Sequence, residues 1–122
     1  MTMAKILKVD DSSFMRKVIG SIIRQAGHIV IGEASDGNEA LTKYAQLKPE
    51  LVIMDITMNN VTGLEGLRRI KIFDPMAKVI MCSAMGQQSM IEEALEEGAL
   101  DFIIKPFKKD EVINAINKAL IS

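Results

Sequence analysis

A chain of 122 residues has the size of one domain and can build a core without disulfides or a structural metal. Its 48% apolar and 25% charged residues exclude disorder, and its 15 basic against 16 acidic residues, with no Lys/Arg stripe, exclude the footprint of a nucleic-acid or anionic-membrane binder. The start, MTMAKILKVDD, meets acidic residues after a short apolar run, so no signal peptide or membrane span is expected and the expected location is cytoplasmic.

The first apolar run, KILKVDD within residues 4 to 11, reads as a buried strand. Lys8 interrupts it at a cost in free energy, unless its stem snorkels or it pairs with a carboxylate; if it reached the acidic groups that follow, it would compete with a cation there. Phe14, Val18, Ile22 and Ile23 follow at helical spacing, with Ser12 or Ser13 to cap the helix and Gly27 to close it. HIVIGEA (28–34) is the second strand, with His28, the one histidine of the chain, expected at the surface or an edge. Asp36 then caps a helix carrying Ala40, Leu41, Tyr44 and Leu47, and Pro49 separates it from the third strand, LVIMDI (51–56). Leu64, Leu67 and Ile70 mark the third helix, ahead of KVIMCSA (78–84), a strand in which the lone Cys82 reads as core filler. A fourth helix with Met90, Ile91, Ala94 and Leu95, closed by Gly98, leads to the strand DFIIKP (101–106). Val112, Ile113, Ile116 and Leu120 complete the last helix. Met54 and Met81 are expected in the core and Met85 in an exposed loop.

Strand followed by helix, five times over, predicts an α/β domain with a doubly wound, five-stranded parallel sheet, because parallel neighbours need crossover helices. Such sheets bind ligands beyond the carboxyl ends of their strands. There the chain places Asp10 and Asp11 after strand one, Asp55 at the end of strand three, Ser83 after strand four and Lys105 after strand five. Converging carboxylates repel one another and resist ionising together, so a cation must compensate. A set made only of oxygen donors suits a hard ion, Mg²⁺ before zinc. One acidic residue would satisfy the dipole of the following helix; a pair, joined by Asp55 and Lys105, asks for more than capping.

The motifs VDDSSFMRK (9–17), MDITM (54–58), MCSAMGQQ (81–88) and KPF (105–107) extend this pattern. On them the chain resembles, over essentially its whole length, the receiver domains of bacterial two-component response regulators of the CheY-like, chemotaxis type. The resemblance, not the periodicity, implies a flavodoxin-like (βα)5 strand order of 2-1-3-4-5. It implies Asp55 as phosphoacceptor, with Lys105 and Ser83 assisting, and Mg²⁺ held by Asp10, Asp11, Asp55 and the Thr57 carbonyl. It further implies Ser83 and Phe102 as the switch pair and a cis Lys105–Pro106 bond. The output surface would be helix four (87–97), strand five and helix five (109–120).

The partners implied are a sensor histidine kinase as phosphodonor and a flagellar switch or phosphatase-type target protein. Residues 1–122 would be a single, monomeric receiver domain with no output domain, and no enzyme beyond self-phosphorylation and slow autodephosphorylation, with Met85 at a position that tunes the latter. A haloacid-dehalogenase-type hydrolase would want a second Asp where Thr57 stands, and a flavodoxin-like carrier a hydroxyl- and glycine-rich cradle where Asp10 and Asp11 stand. A single-domain phosphorelay intermediate and a degenerate receiver used for docking are the alternatives. Asn59, Asn60 and Val61 depart from the family pattern; the two asparagines replace a Pro-containing turn and are expected to alter loop flexibility alone.

Overall fold

Strand and helix alternate five times along residues 3–122, the residues described by the computed structural model. The elements are β1 (Lys5–Val9), α1 (Ser13–Gln25), β2 (Ile29–Ala34), α2 (Gly37–Leu47), β3 (Leu51–Asp55), α3 (Gly63–Phe73), β4 (Val79–Ser83), α4 (Gln88–Glu96), β5 (Asp101–Ile104) and α5 (Lys109–Leu120). All four strand pairings are parallel and the order is β2-β1-β3-β4-β5, as the resemblance implies.

Side chains alternate across a strand, so neighbouring residues feed two separate cores. Leu7, Val52, Met54 and Met81 pack with Leu67 and Ile70 under α2, α3 and α4; Ile6, Ile53 and Ile80 pack with Ile23 and Ile116 under α1 and α5. Both faces of the sheet are therefore covered, and every residue of β3 and β4 is buried. Each fully buried Leu or Ile contributes roughly 1.5–3 kcal/mol relative to an exposed one. Cys82 lies in the second core, where burial pushes its thiol well above the ordinary range and leaves it unreactive.

The helix starts follow side-chain chemistry. Ser12, not Ser13, caps α1 by accepting from the Met15 amide, Asp36 caps α2 through Glu39 N, and Thr62 caps α3 through Glu65 N. Gln87 and Lys108, which precede α4 and α5, make no side-chain cap bond. Asn60 takes the left-handed conformation (φ 60°), which asparagine tolerates, so the loop after β3 turns without proline.

Three side chains stand otherwise than expected, and a fourth, Lys8, finds the carboxylate partner that its place in a strand requires. Phe14 is 69% exposed and Leu95 41% exposed. Steps of four residues overshoot a helical turn by about 40°, so Phe14 rotates off the buried face centred on Ile19, Ile22 and Ile23. His28 does precede the edge strand β2, but it is buried, its Nδ1 accepting from the Ala4 amide at 3.1 Å. Lys8 is buried on the α1 side, where its ammonium meets Arg16 and Glu33 and not the carboxylates of Asp10, Asp11 and Asp55. Its Nζ donates to the Arg16 carbonyl (3.0 Å) and lies 3.8 Å from Glu33.

Gly63 opens α3 directly against the end of β3: its amide donates to the Ile56 carbonyl at 3.1 Å, and a Cβ built on it would collide with the Asp55 carbonyl oxygen. Because the obstacle is backbone, it cannot swing aside. Gly63→Ala is expected to lower the unfolding free energy by about 3 kcal/mol, read by urea denaturation. An unchanged midpoint would show that the loop is not pressed against the strand.

Candidate functional site

The strand order reverses between β1 and β3, so the crevice lies where the residues following those two strands meet. Asp10 and Asp55 are both buried there, and Asp11 is exposed at the mouth. One carboxylate oxygen from each of the three lies within 4.8 Å of the other two. At that separation like charges repel by roughly 3 kcal/mol per pair under surface-like screening.

Lys105 is the cation that faces them. Its Nζ donates to Asp10 Oδ2 at 2.8 Å and lies 3.3 Å from Asp55 Oδ2, while its amide donates to the Ser83 carbonyl at 2.8 Å. Asp10 spends its other oxygen on the Ser12 amide (2.9 Å), and Asp11 Oδ2 accepts from the Asn59 amide (3.3 Å). The turn containing Asn59 is thereby tied to the acidic pair, a contact that composition does not announce.

Burial pushes the Asp55 carboxyl above its ordinary range; the Lys105 charge pulls it back, and Asp10 pushes it up again. For Lys105, burial alone would lower the ammonium, but the hydrogen bond to Asp10 and the charges of Asp55 and Asp10 outweigh it and leave it raised. Lys105 is thus a fixed cation at neutral pH, and three carboxylates face one ammonium. This donor set fits a hard divalent ion: oxygen alone, two of three carboxylates buried, and negative charge in excess of the lysine.

Ser83 ends β4, on the strand next to Asp55, and its buried Oγ has no hydrogen-bond partner among the described residues. Such a hydroxyl costs about 1–3 kcal/mol and is free to donate to an incoming oxygen. Phe102 is 37% exposed and lines an outer groove of about 280 Å³ together with Ile104, Glu111, Ala115 and Lys118. Thr57 is exposed two residues beyond Asp55, Met85 is exposed as expected, and the Lys105–Pro106 bond is cis. The geometry therefore brings together Asp10, Asp11, Asp55 and Lys105, sets Ser83 on the adjoining strand, and leaves Phe102 at the periphery.

Comparison with known proteins agrees with this arrangement. The family model described as the response regulator receiver domain matches residues 6–117. The chain is 51% identical to the chemotaxis protein CheY of Thermotoga maritima over 93% of its own length and 95% of that protein's. It is also 51% identical to CheY of Bacillus subtilis, over 95% and 97% respectively. Among solved structures, the CheX-CheY-BeF3-Mg complex from Borrelia burgdorferi provides a chain that superposes with a TM-score of 0.92 at 35% identity, covering 98% of this chain and 90% of that one. The receiver domain of Thermotoga maritima CheB gives 0.90 at 37% identity, over 99% and 98%.

Proposed function

The chain belongs to the response regulator receiver domain family, and from that premise we propose that it is a chemotaxis-type, stand-alone response regulator that accepts a phosphoryl group on Asp55. The observation that carries the reading is the convergence of Asp10, Asp11 and Asp55 within 4.8 Å, with Lys105 bonded into the cluster.

A carboxylate oxygen of Asp55 attacks the phosphorus of a phosphohistidine on a sensor histidine kinase. An O–P bond forms, the P–N bond breaks and the imidazole departs. The protein's task is mainly placement and charge neutralisation, because the transferred group carries its charge on three equatorial oxygens. Lys105 supplies a fixed positive charge beside Asp55, and Ser83 offers its unpartnered hydroxyl. Asp10, Asp11, Asp55 and the Thr57 carbonyl would hold Mg²⁺, which when bound neutralises the phosphoryl oxygens. Beyond this self-phosphorylation and a slow loss of the group, no catalytic turnover is proposed.

Ser83, drawn toward the new oxygens, would vacate space for the ring of Phe102, which now borders the outer groove. The signal would pass to α4, β5 and α5, where α4 starts without a side-chain cap. A target of the flagellar switch or phosphatase type would read that face. No helix among the described residues is long and apolar enough to cross a membrane. The complete acidic set with Lys105 disfavours a degenerate, docking-only receiver.

Incubation of the full chain with acetyl phosphate and Mg²⁺ is expected to yield one acyl phosphate, which borohydride reduction and peptide mapping assign to Asp55. EDTA is expected to prevent it. Label on another residue, or undiminished labelling in EDTA, would sink the reading.

A further inference from the structure

The turn that joins β1 to α1 carries two of the three clustered carboxylates, yet it belongs to neither element. The Asp10 amide donates to the Ala34 carbonyl at 3.1 Å and Asp10 Oδ1 receives the Ser12 amide. The Asp10 carbonyl is held differently, by a side chain from α1: Arg16 Nη1 donates to it at 2.6 Å. That carbonyl is part of the peptide unit joining Asp10 to Asp11. Rotation of this unit would swing both carboxylates.

Arg16 is itself fixed from two sides. Its Nε donates to Glu33 Oε1 of β2 at 2.8 Å, and its main-chain carbonyl receives Lys8 Nζ from β1 at 3.0 Å. Gly20, one turn along α1, makes room for this lysine: a Cβ there would lie 2.8 Å from Lys8 Nζ. Lys8, Arg16, Gly20 and Glu33 thus form one bracket from β1 through α1 to β2, and its working end rests on the Asp10 carbonyl. Glu33 is 55% exposed, so the ion pair alone adds little to stability. Its leverage is geometric, since a site for a small ion tolerates misplacement of only about 0.5 Å.

We infer that Arg16 is a positioning residue that sets the Asp10–Asp11 peptide for divalent-cation binding, with Lys8 and Glu33 holding Arg16 in place; this rests on reading Asp10, Asp11 and Asp55 as the cation site. The burial of Lys8 in a sheet strand has its explanation here.

The test is calorimetric titration of Mg²⁺ alone into the full chain, for wild type, Arg16→Ala and Asp11→Asn, with ¹³C′ of Asp10 and ¹⁵N of Asp11 recorded in the metal-free proteins. Arg16→Ala is expected to weaken Mg²⁺ binding about tenfold, as losses of supporting hydrogen bonds around metal ligands do. It is also expected to displace the two resonances. Wild-type affinity in Arg16→Ala, with Asp11→Asn much weakened, would overturn the role of Arg16 and leave the cation site standing. If wild type takes up no Mg²⁺, or Asp11→Asn binds as wild type does, the site itself falls and the role of Arg16 with it. Should Arg16→Ala not fold, Arg16→Gln is read by the same criteria.

Discussion

Asp55→Asn is expected to lose all labelling by acetyl phosphate and, in EDTA at neutral pH, to melt at a higher temperature than the wild-type chain. The first effect follows from chemistry, because an amide oxygen is no nucleophile toward phosphorus under these conditions, and Asp10, the other carboxylate beside Lys105, has both oxygens engaged, one by Lys105 and one by the Ser12 amide. The second follows from electrostatics. Burial raises the Asp55 carboxyl above its ordinary 3.8, so the folded chain holds that proton more tightly than the unfolded one. Between 3.8 and the raised value the unfolded state binds fewer protons, and the stability of the metal-free protein falls as pH rises through that window. At neutral pH the ionised side chain is therefore a net cost, which a neutral, isosteric amide removes.

A gain of roughly 1 kcal/mol is the usual size of such relief at a functional site, or about 4 °C in melting temperature for a domain of this length. The order is expected to reverse in saturating Mg²⁺, because ion binding to the folded state would stabilise wild type while the variant would lack one of the proposed ligands. A metal-free variant that melts below wild type would mean that Lys105 more than compensates Asp55. The acidic pocket would then have no deficit for a cation to fill.

The five strand-end residues could be read from the sequence because each is a polar interruption of an apolar strand end, a local signal. Strand order was another matter: periodicity says that strands are parallel and covered, but which strands pair depends on contacts far apart in the chain, and the resemblance had to supply it. Phe14 and Leu95 show the limit of counting by four along a helix, since the buried stripe drifts around the axis. His28 and Lys8 show another: burial of a polar side chain depends on a partner, here the Ala4 amide and the Arg16 carbonyl, that no spacing rule points to. Gly63 and Arg16 left no trace for the same reason. Each meets a main-chain carbonyl outside its own helix, that of Asp55 or of Asp10, and carbonyls are alike at every position.

Lys105→Met is the substitution that separates stability from chemistry. It keeps the apolar stem and removes the ammonium that Asp10 and Asp55 share. Two carboxylates, each 7% exposed or less, then face each other without a counter-charge. Removing one partner of a buried ion pair costs more than the pair contributes, because the remaining charge keeps its desolvation penalty; a loss of about 3 kcal/mol is expected in EDTA. Mg²⁺ should recover much of it, and by a larger increment than in wild type, since the acidic cluster has lost its resident cation.

Phosphorylation should not recover in step. In the proposed reaction the ammonium beside Asp55 would face the charge that develops on the transferred group, and loss of one such fixed donor slows a reaction by roughly 10²–10³. A pH series gives an independent check. The ammonium is raised above its ordinary 10.5, so the stability it confers is complete below that pH and is lost as pH rises through the higher, folded value. Wild type should therefore weaken in that alkaline window, and Lys105→Met should not show this component. If Lys105→Met is as stable as wild type in EDTA, the two aspartates do not need the lysine, and the charge balance argued for this pocket is wrong.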